Sequence, residues 1–429
     1  MLHLKNKKIA LFVALFGCSH LFLWAQVKDP DWTHFRGSKL DGISQEKGLP
    51  LSWDDSTGVA WKTAIDGLGW SSPVVLGNQV WLTTATEGGK EMRALCLDFN
   101  SGEFIHNVLV FKPDSLYRKH AINSYATPTS ALEDGRVFVH FGRYGTACLD
   151  TRTGEVLWKR SDIQVEHVQG PGSSLLIYKD KLMVHLEGSD IQYILALDKK
   201  TGETIWKTER PKEVYDQLEY IGKKAYITPL ILTVNGRDLM ISNGAAVCIA
   251  YDPETGEEVW RIVQGEDSTI SMPVQSEGKV YFYTGFVTPP EGRKYAELLA
   301  VDPDGQGDIT SSNIVWRLKS PVLQLLTPII VDGLLYTVDS NALLSCLDAT
   351  SGKSLGSKKL KGKFYSSPVY ADGHVYVSSI KGETLVFKAG TGLDLVAENR
   401  LEGEIWATPA VTGGAILMRT SNYLYKLAN

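Results

Sequence analysis

ALDKKTGETIW, residues 196–206, is the phrase on which the fold turns, because it returns along most of the chain. It stands as ACLDTRTGEVLW ending at Trp158 and as AYDPETGEEVW ending at Trp260. With an insertion it is AVDPDGQGDITSSNIVW, ending at Trp316. Weaker copies are ALCLDFNSGEF from Ala94, SCLDATSGKSL from Ser345 and VFKAGTGLDL from Val386. Each follows one plan: a short apolar strand, an Asp, a Thr/Ser-Gly turn, then a strand that can end in Trp. Repetition of this kind decides architecture before any local motif can.

A second signature precedes each phrase. A small or hydroxylated residue stands before Pro, then come apolar residues, a Gly turn and another apolar strand, as in SSPVVLGNQVWLTT from Ser71 and SSPVYADGHVYVSS from Ser366. Taking the Pro as anchor gives positions 73, 128, 229, 273, 328, 368 and 409, with Ser174 in the Pro's place in one further unit. Eight units 40 to 55 residues apart suit an all-β fold, an eight-bladed β-propeller of four-stranded antiparallel blades. Within a unit the first strand starts at the Pro and the last ends near Trp; period-two alternation is visible in Val137–Phe141. The last unit stops one strand short, at Tyr423–Leu427, while Val59-Ala60-Trp61-Lys62 resembles the missing strand. The N-terminal strand is therefore expected to pair with the last blade and close the ring, which removes exposed edges.

Residues 1–25 read as a signal peptide, with Lys5, Lys7 and Lys8 before an apolar run and cleavage after Ala25. Leu15-Phe16-Gly17-Cys18 is a loose lipoprotein box, so anchoring through Cys18 is the alternative. Residues 26–50 are an N-terminal leader and 51–429 the propeller. No other stretch is long and apolar enough to span a bilayer. Without residues 1–25 the chain carries 41 basic against 49 acidic residues, a net charge of −8, which argues against nucleic acid. Cys96, Cys148 and Cys346 each lie two residues before the strand's Asp, where other units place Ala; with Cys248 they are expected to be free and buried.

Repeats of the form A-x-D-x-x-T-G-E-x-x-W resemble the tryptophan-docked propellers of the pyrroloquinoline quinone (PQQ) repeat superfamily. Quinoprotein alcohol dehydrogenases and the non-enzymatic BamB-type outer-membrane assembly lipoproteins share that ring. NSYATPTSALEDGRVFVHFGRYGTACLD and GPGSSLLIY also resemble exported PQQ-like proteins of environmental bacteria. The resemblance implies that Trp61, Trp158, Trp206, Trp260 and Trp316 dock between blades, with His106, Gly356 and Val396 in the equivalent place elsewhere. The dehydrogenases carry adjacent cysteines, a metal held by acidic and amide groups, and an Asp base. This chain has no adjacent cysteines, no haem attachment motif and no matching metal ligands, so no cofactor is expected; PQQ is the unsupported alternative.

The aspartates Asp98, Asp150, Asp198, Asp252, Asp302 and Asp348 look like a carboxylate set but fall at one turn per blade, where Asp accepts backbone N–H bonds. More informative is the residue three before each anchor: Trp70, Tyr125, Tyr226, Tyr365 and Trp406, with Pro171, Ile270 and Leu325 in the other units. On the innermost strands these would ring one mouth of the channel and could stack a flat ring or a sugar face. Inter-blade packing is the plainer reading of the same residues. Three long connections, 111–124, 208–225 and 286–297, are the other places for binding. The first carries His120 and Asn123 into the mouth; His120 with Tyr125 is the first guess for an acid/base pair. The second carries Glu213, Tyr215, Asp216, Glu219 and Tyr220, the third Arg293 and Lys294. The expectation is an exported, monomeric, non-catalytic propeller that binds a partner protein or a small organic or saccharide ligand. A quinoprotein dehydrogenase or a carbohydrate-active enzyme is the alternative.

Overall fold

A computed structural model describes residues 31–264, 269–285, 296–320 and 325–429. The expected signal segment with Cys18, and Arg293 and Lys294 of the third loop, lie outside these residues. The strands form eight sheets, each the blade of a propeller. Blade two is typical: Ala131–Glu133, Arg136–His140, Thr146–Asp150 and Val156–Arg160 pair antiparallel from the channel outward. Val59–Ala64 pairs antiparallel with Tyr423–Leu427, so the N-terminal strand closes the last blade as expected. Among the described residues no helix is long and apolar enough to cross a membrane.

The repeated phrase is one mechanical unit. Its Asp carboxylate accepts the backbone N–H groups two and three residues on: Asp150 takes Arg152 and Thr153 at 2.8 Å, Asp198 takes Lys200 and Thr201. Its Gly sits in the left-handed region, φ 76° at Gly202 and Gly256. A Cβ there would also lie 2.7 Å from the Trp158 ring and 2.5 Å from the Trp206 ring. Those rings belong to the preceding blade. Each Trp donates its indole N–H to the neighbour's turn carbonyl: Trp61 to Phe99, Trp158 to Lys199, Trp206 to Pro253, Trp260 to Pro303 and Trp316 to Ala349, at 2.9–3.3 Å. Asp shapes the turn, Gly clears the space, and Trp from next door fills it.

The strand does not end at Trp. It continues two or three residues further, and a bulge just before Trp turns Leu157 and Ile205 outward. His106 performs the same docking with a smaller ring, its Nε2 3.2 Å from the Thr151 carbonyl. Gly356 holds the equivalent place in blade six, pairing with Cys346. In blade seven that place belongs to Ala397, which pairs with Val386; Val396, named from the sequence, is the outward bulge residue. Trp53 compensates there, buried and stacked on Tyr376 at 6.3 Å. Cys96, Cys148, Cys248 and Cys346 are free and buried, each in a different blade.

Residues 31–50 are not a leader outside the ring. Asp31–Trp32 pairs with Val74–Leu76, the innermost strand of blade one. The Thr33 carbonyl accepts Leu132 N–H, and His34 Nε2 accepts Ile177 N–H. Arg36 reaches the carbonyls of Pro328 and Pro368 at 2.9 and 3.0 Å. The chain then returns, pairing Ile43 with Tyr370, and Glu46 accepts the N–H groups of Gly413 and Gly414. The segment is a loop threaded up the channel, with Phe35 and Arg36 at its tip.

Candidate functional site

Above that tip the channel opens into a cup of about 490 Å³. Its wall is built by the residues that lead into the eight innermost strands. Alternation along an extended chain sends residues two apart to the same face. The residues four before the strands' first residues form a lip: Trp70, Thr127, Gly172, Tyr226, Ile270, Leu325, Tyr365 and Trp406. The residues two before form a deeper girdle: Ser72, Thr129, Ser174, Thr228, Met272, Thr327, Ser367 and Thr408. Phe35 closes the bottom.

This register moves one expected residue out of the site. Blade two begins at Ala131, so its structural anchor is Ser130 and not Pro128. The lip position is Thr127, and Tyr125 points away from the cup. Tyr125 donates its hydroxyl to the Tyr117 carbonyl at 2.7 Å and meets the Tyr144 ring edge-on at 5.8 Å. The two extra residues sit in a turn tied by Thr127 Oγ1 to Asn123 Oδ1 at 2.5 Å. Blade three is offset by one, so Gly172 holds the lip position, with Pro171 beside it in the wall.

Trp70, Tyr226, Tyr365 and Trp406 do line the cup. Three of them stack on one another: Trp406 lies 5.0 Å from Trp70 and 4.7 Å from Tyr365, with ring planes 16° and 21° apart. Both faces of Trp406 are thereby covered, and the free ring surface belongs to Trp70 and Tyr365. Their indoles are pinned, Trp70 to the Ile122 carbonyl and Trp406 to Glu404 Oε2. Blades five and six supply the aliphatic part of the wall, Ile270, Met272 and Leu325.

His120 and Asn123 also line the cup. Asn123 donates to the Gln169 and Pro171 carbonyls, which fastens the 111–124 loop to blade three. His120 Nδ1 accepts Ile122 N–H at 3.3 Å. With Tyr125 committed to Tyr117, the suggested His120–Tyr125 pair shares no hydrogen bond. In the second loop Tyr215 is buried: its hydroxyl donates to Glu187, which also faces His185 Nε2 at 2.9 Å and lies 3.7 Å from Arg210. Burial opposes the charge on Glu187, but Arg210 and His185 outweigh it and hold the carboxyl below its usual range. This cluster joins blades three and four, and none of its members reaches the cup.

The girdle was the feature that sequence reasoning passed over. Six of its hydroxyls accept a backbone N–H from the neighbouring blade: Ser72 to Thr129, Thr129 to Ser174, Ser174 to Thr228, Met272 to Thr327, Thr327 to Ser367, and Ser367 to Thr408, at 3.0–3.2 Å. The signal was the small or hydroxylated residue before Pro, whose hydroxyl the repeat alone gives no task. Beneath the girdle lies Arg36, buried, in the left-handed region at φ 65°. Burial lowers its pKa to about 10, with Asp41 pulling the other way. Arg419, behind Ser71, is lowered to about 9 by burial alone.

The four cysteines lie in four blades, and among the described residues no carboxylate lines the cup. No group of three His, Cys, Asp or Glu among them could hold a metal. No curated protein matches the sequence. Among solved structures, BamB from Moraxella catarrhalis is 14% identical with a TM-score of 0.59, covering 86% of this chain and 99% of its own. Quinohemoprotein alcohol dehydrogenase from Comamonas testosteroni is 13% identical with a TM-score of 0.65, covering 92% and 80%. The computationally designed Ika8 protein is 12% identical with a TM-score of 0.55, covering 89% and 100%. At these identities the likeness is one of fold. The profile of the PQQ-type repeat family described as outer membrane protein assembly factor BamB matches residues 42–162, 124–217, 190–308 and 296–395 of this eight-bladed ring, and the chain belongs to that family.

Proposed function

We propose that this protein is an exported, non-catalytic propeller that takes a small organic ligand in the cup, with the 111–124 and 208–225 loops beside it as the place for a partner protein. The observation that carries the reading is the cup itself, lined by rings and hydroxyls, with no acid/base pair converging on it among the described residues. Rings and hydroxyls bind and orient; they do not by themselves move protons or electrons. Export rests on residues 1–25, and membership of a family described as outer membrane protein assembly factor supports a place outside the cytoplasm.

The test has two arms. Purified protein supplied with PQQ and calcium should reduce no artificial electron acceptor when alcohols are added. Tryptophan fluorescence should change on titration with small organic ligands, and Trp70→Leu should diminish that change. Metal-dependent dye reduction would sink the non-catalytic reading.

A further inference from the structure

The girdle hydroxyls are polarised by the ring they build. A hydroxyl that accepts a neighbour's N–H keeps one proton to donate. For Thr129, Ser174, Thr228, Thr327, Ser367 and Thr408 no acceptor for that proton exists among the described residues. Ser72 Oγ, 1% exposed, has no hydrogen-bond partner at all. Seven donors therefore line one level of the cup without acceptors, a pattern that an acceptor-only group such as an oxyanion satisfies without bringing donors of its own.

The charge behind the ring has the same sign. Arg36 sits just under the girdle, its amino groups held by the carbonyls of Pro328 and Pro368, which directly follow girdle residues Thr327 and Ser367. Its Nε is buried without a partner. Arg419 donates to the carbonyl and hydroxyl of Ser71, next to girdle residue Ser72, and its Nε is also unpartnered. Both cations are fully desolvated by burial, and among the described residues Asp41 is the acid that faces Arg36. Lys119, beside the cup, gives its ammonium to the Asn123 carbonyl at 2.6 Å. The cup is a positive well lined by hydrogen-bond donors and floored by Phe35.

We infer that the cup takes a small oxyanion head first, a carboxylate or phosphate resting on the Ser/Thr girdle while a planar or aliphatic body lies between Trp70 and the Ile270–Leu325 wall. The anion supplies the acceptors the hydroxyls lack. Charge-assisted bonds to it are stronger than neutral ones. The body displaces water from rings and aliphatic groups. This inference rests on the mouth being the binding site, as proposed above.

Three probes of one shape separate the possibilities: benzoate, phenyl phosphate and benzyl alcohol, each titrated by calorimetry and tryptophan fluorescence. Binding of benzoate or phenyl phosphate at least tenfold tighter than benzyl alcohol is expected, and the tighter of the two names the head group. Ser72→Ala removes no bond from the fold, so its melting temperature should stay put while anion affinity falls about tenfold, the loss expected for one donor to a charged acceptor. Thr327→Val should weaken binding likewise, and Thr327→Ser should restore it. Equal binding of all three probes, or anion binding indifferent to Ser72→Ala and Thr327→Val, would overturn the head-group assignment and leave the mouth in place. Binding of none, with fluorescence flat, would mean the girdle holds water only and would remove the mouth reading as well.

Discussion

The two ends of the channel are made of the same inner strands and have opposite chemistry. At the far end residues 31–50 fill the bore and tie their polar groups to the ring, Asp31 N–H to Thr412, His34 to Ile177, Glu46 to Gly413 and Gly414, with Trp32 Nε1 and Arg36 Nε the buried exceptions. At the near end six girdle hydroxyls, also buried, each accept one N–H and keep a proton to donate. Burial alone does not distinguish scaffold from site. The distinction lies in whether buried polar groups are satisfied internally, because an unmatched buried donor is costly unless something else completes it.

The comparison can be broken most severely at the filled end. Deleting residues 31–62 removes both the channel filler and the closing strand, so cooperative thermal unfolding should be lost; an unchanged melting curve would show that the ring closes without them. Trp32→Ala, at a side chain 3% exposed against blade one, should cost about 3–5 kcal/mol in denaturant titration. A cost near zero would mean that the filler is only laid on the ring.

Acid should act on both ends. Burial lowers His34, in the filler, and His167, behind the lip, to about 4, and a neutral His34 is what lets Nε2 accept Ile177 N–H. The unfolded chain binds protons near pH 6.5 and the folded chain resists until about 4, so unfolding takes up protons in between. Stability is therefore whole above about pH 6.5 and falls as pH drops toward 4. His34→Gln, which keeps an acceptor without the titration, should flatten part of that fall. A melting temperature flat from pH 7 to 4 would contradict the burial of both rings.

The smallest effects sharpen the near end. Trp70→Leu should weaken a ligand stacked at the lip by about 1 kcal/mol. Tyr125→Leu should leave affinity unchanged and lower stability, since that ring packs under the 111–124 loop and not in the cup. Equal losses of affinity in both variants would put Tyr125 back in the site.

These residues also mark what the sequence could tell. The blades and the closing strand were legible because Asp, Gly and Trp recur at one spacing, and each performs the same local task in the best copies. The exchange of Tyr125 for Thr127 was not legible, since the extra residues of the 123–127 turn shift the strand while Pro128 imitates an anchor. The filler was not legible either. Residues 31–50 carry no repeat, and their bonds go to backbone groups of distant blades, which leave no side-chain pattern. The girdle left half a signal: the hydroxyls were visible, but their acceptors and donors lie one blade away.

The pairing of Val59–Ala64 with Tyr423–Leu427 has a consequence in time. On synthesis the first of these strands emerges long before its partner, so Trp61 has no completed seam to enter until Tyr423–Leu427 is made. Contacts this remote in sequence are slow to form, and an apolar strand kept waiting is a sticky one. Refolding from denaturant should show an early phase in which the docked interior blades assemble and a later, rate-limiting one in which Trp61 is quenched. A circular permutant that joins Asn429 to a point before Val59 would make the slowest contact a local one, and the late phase should then disappear.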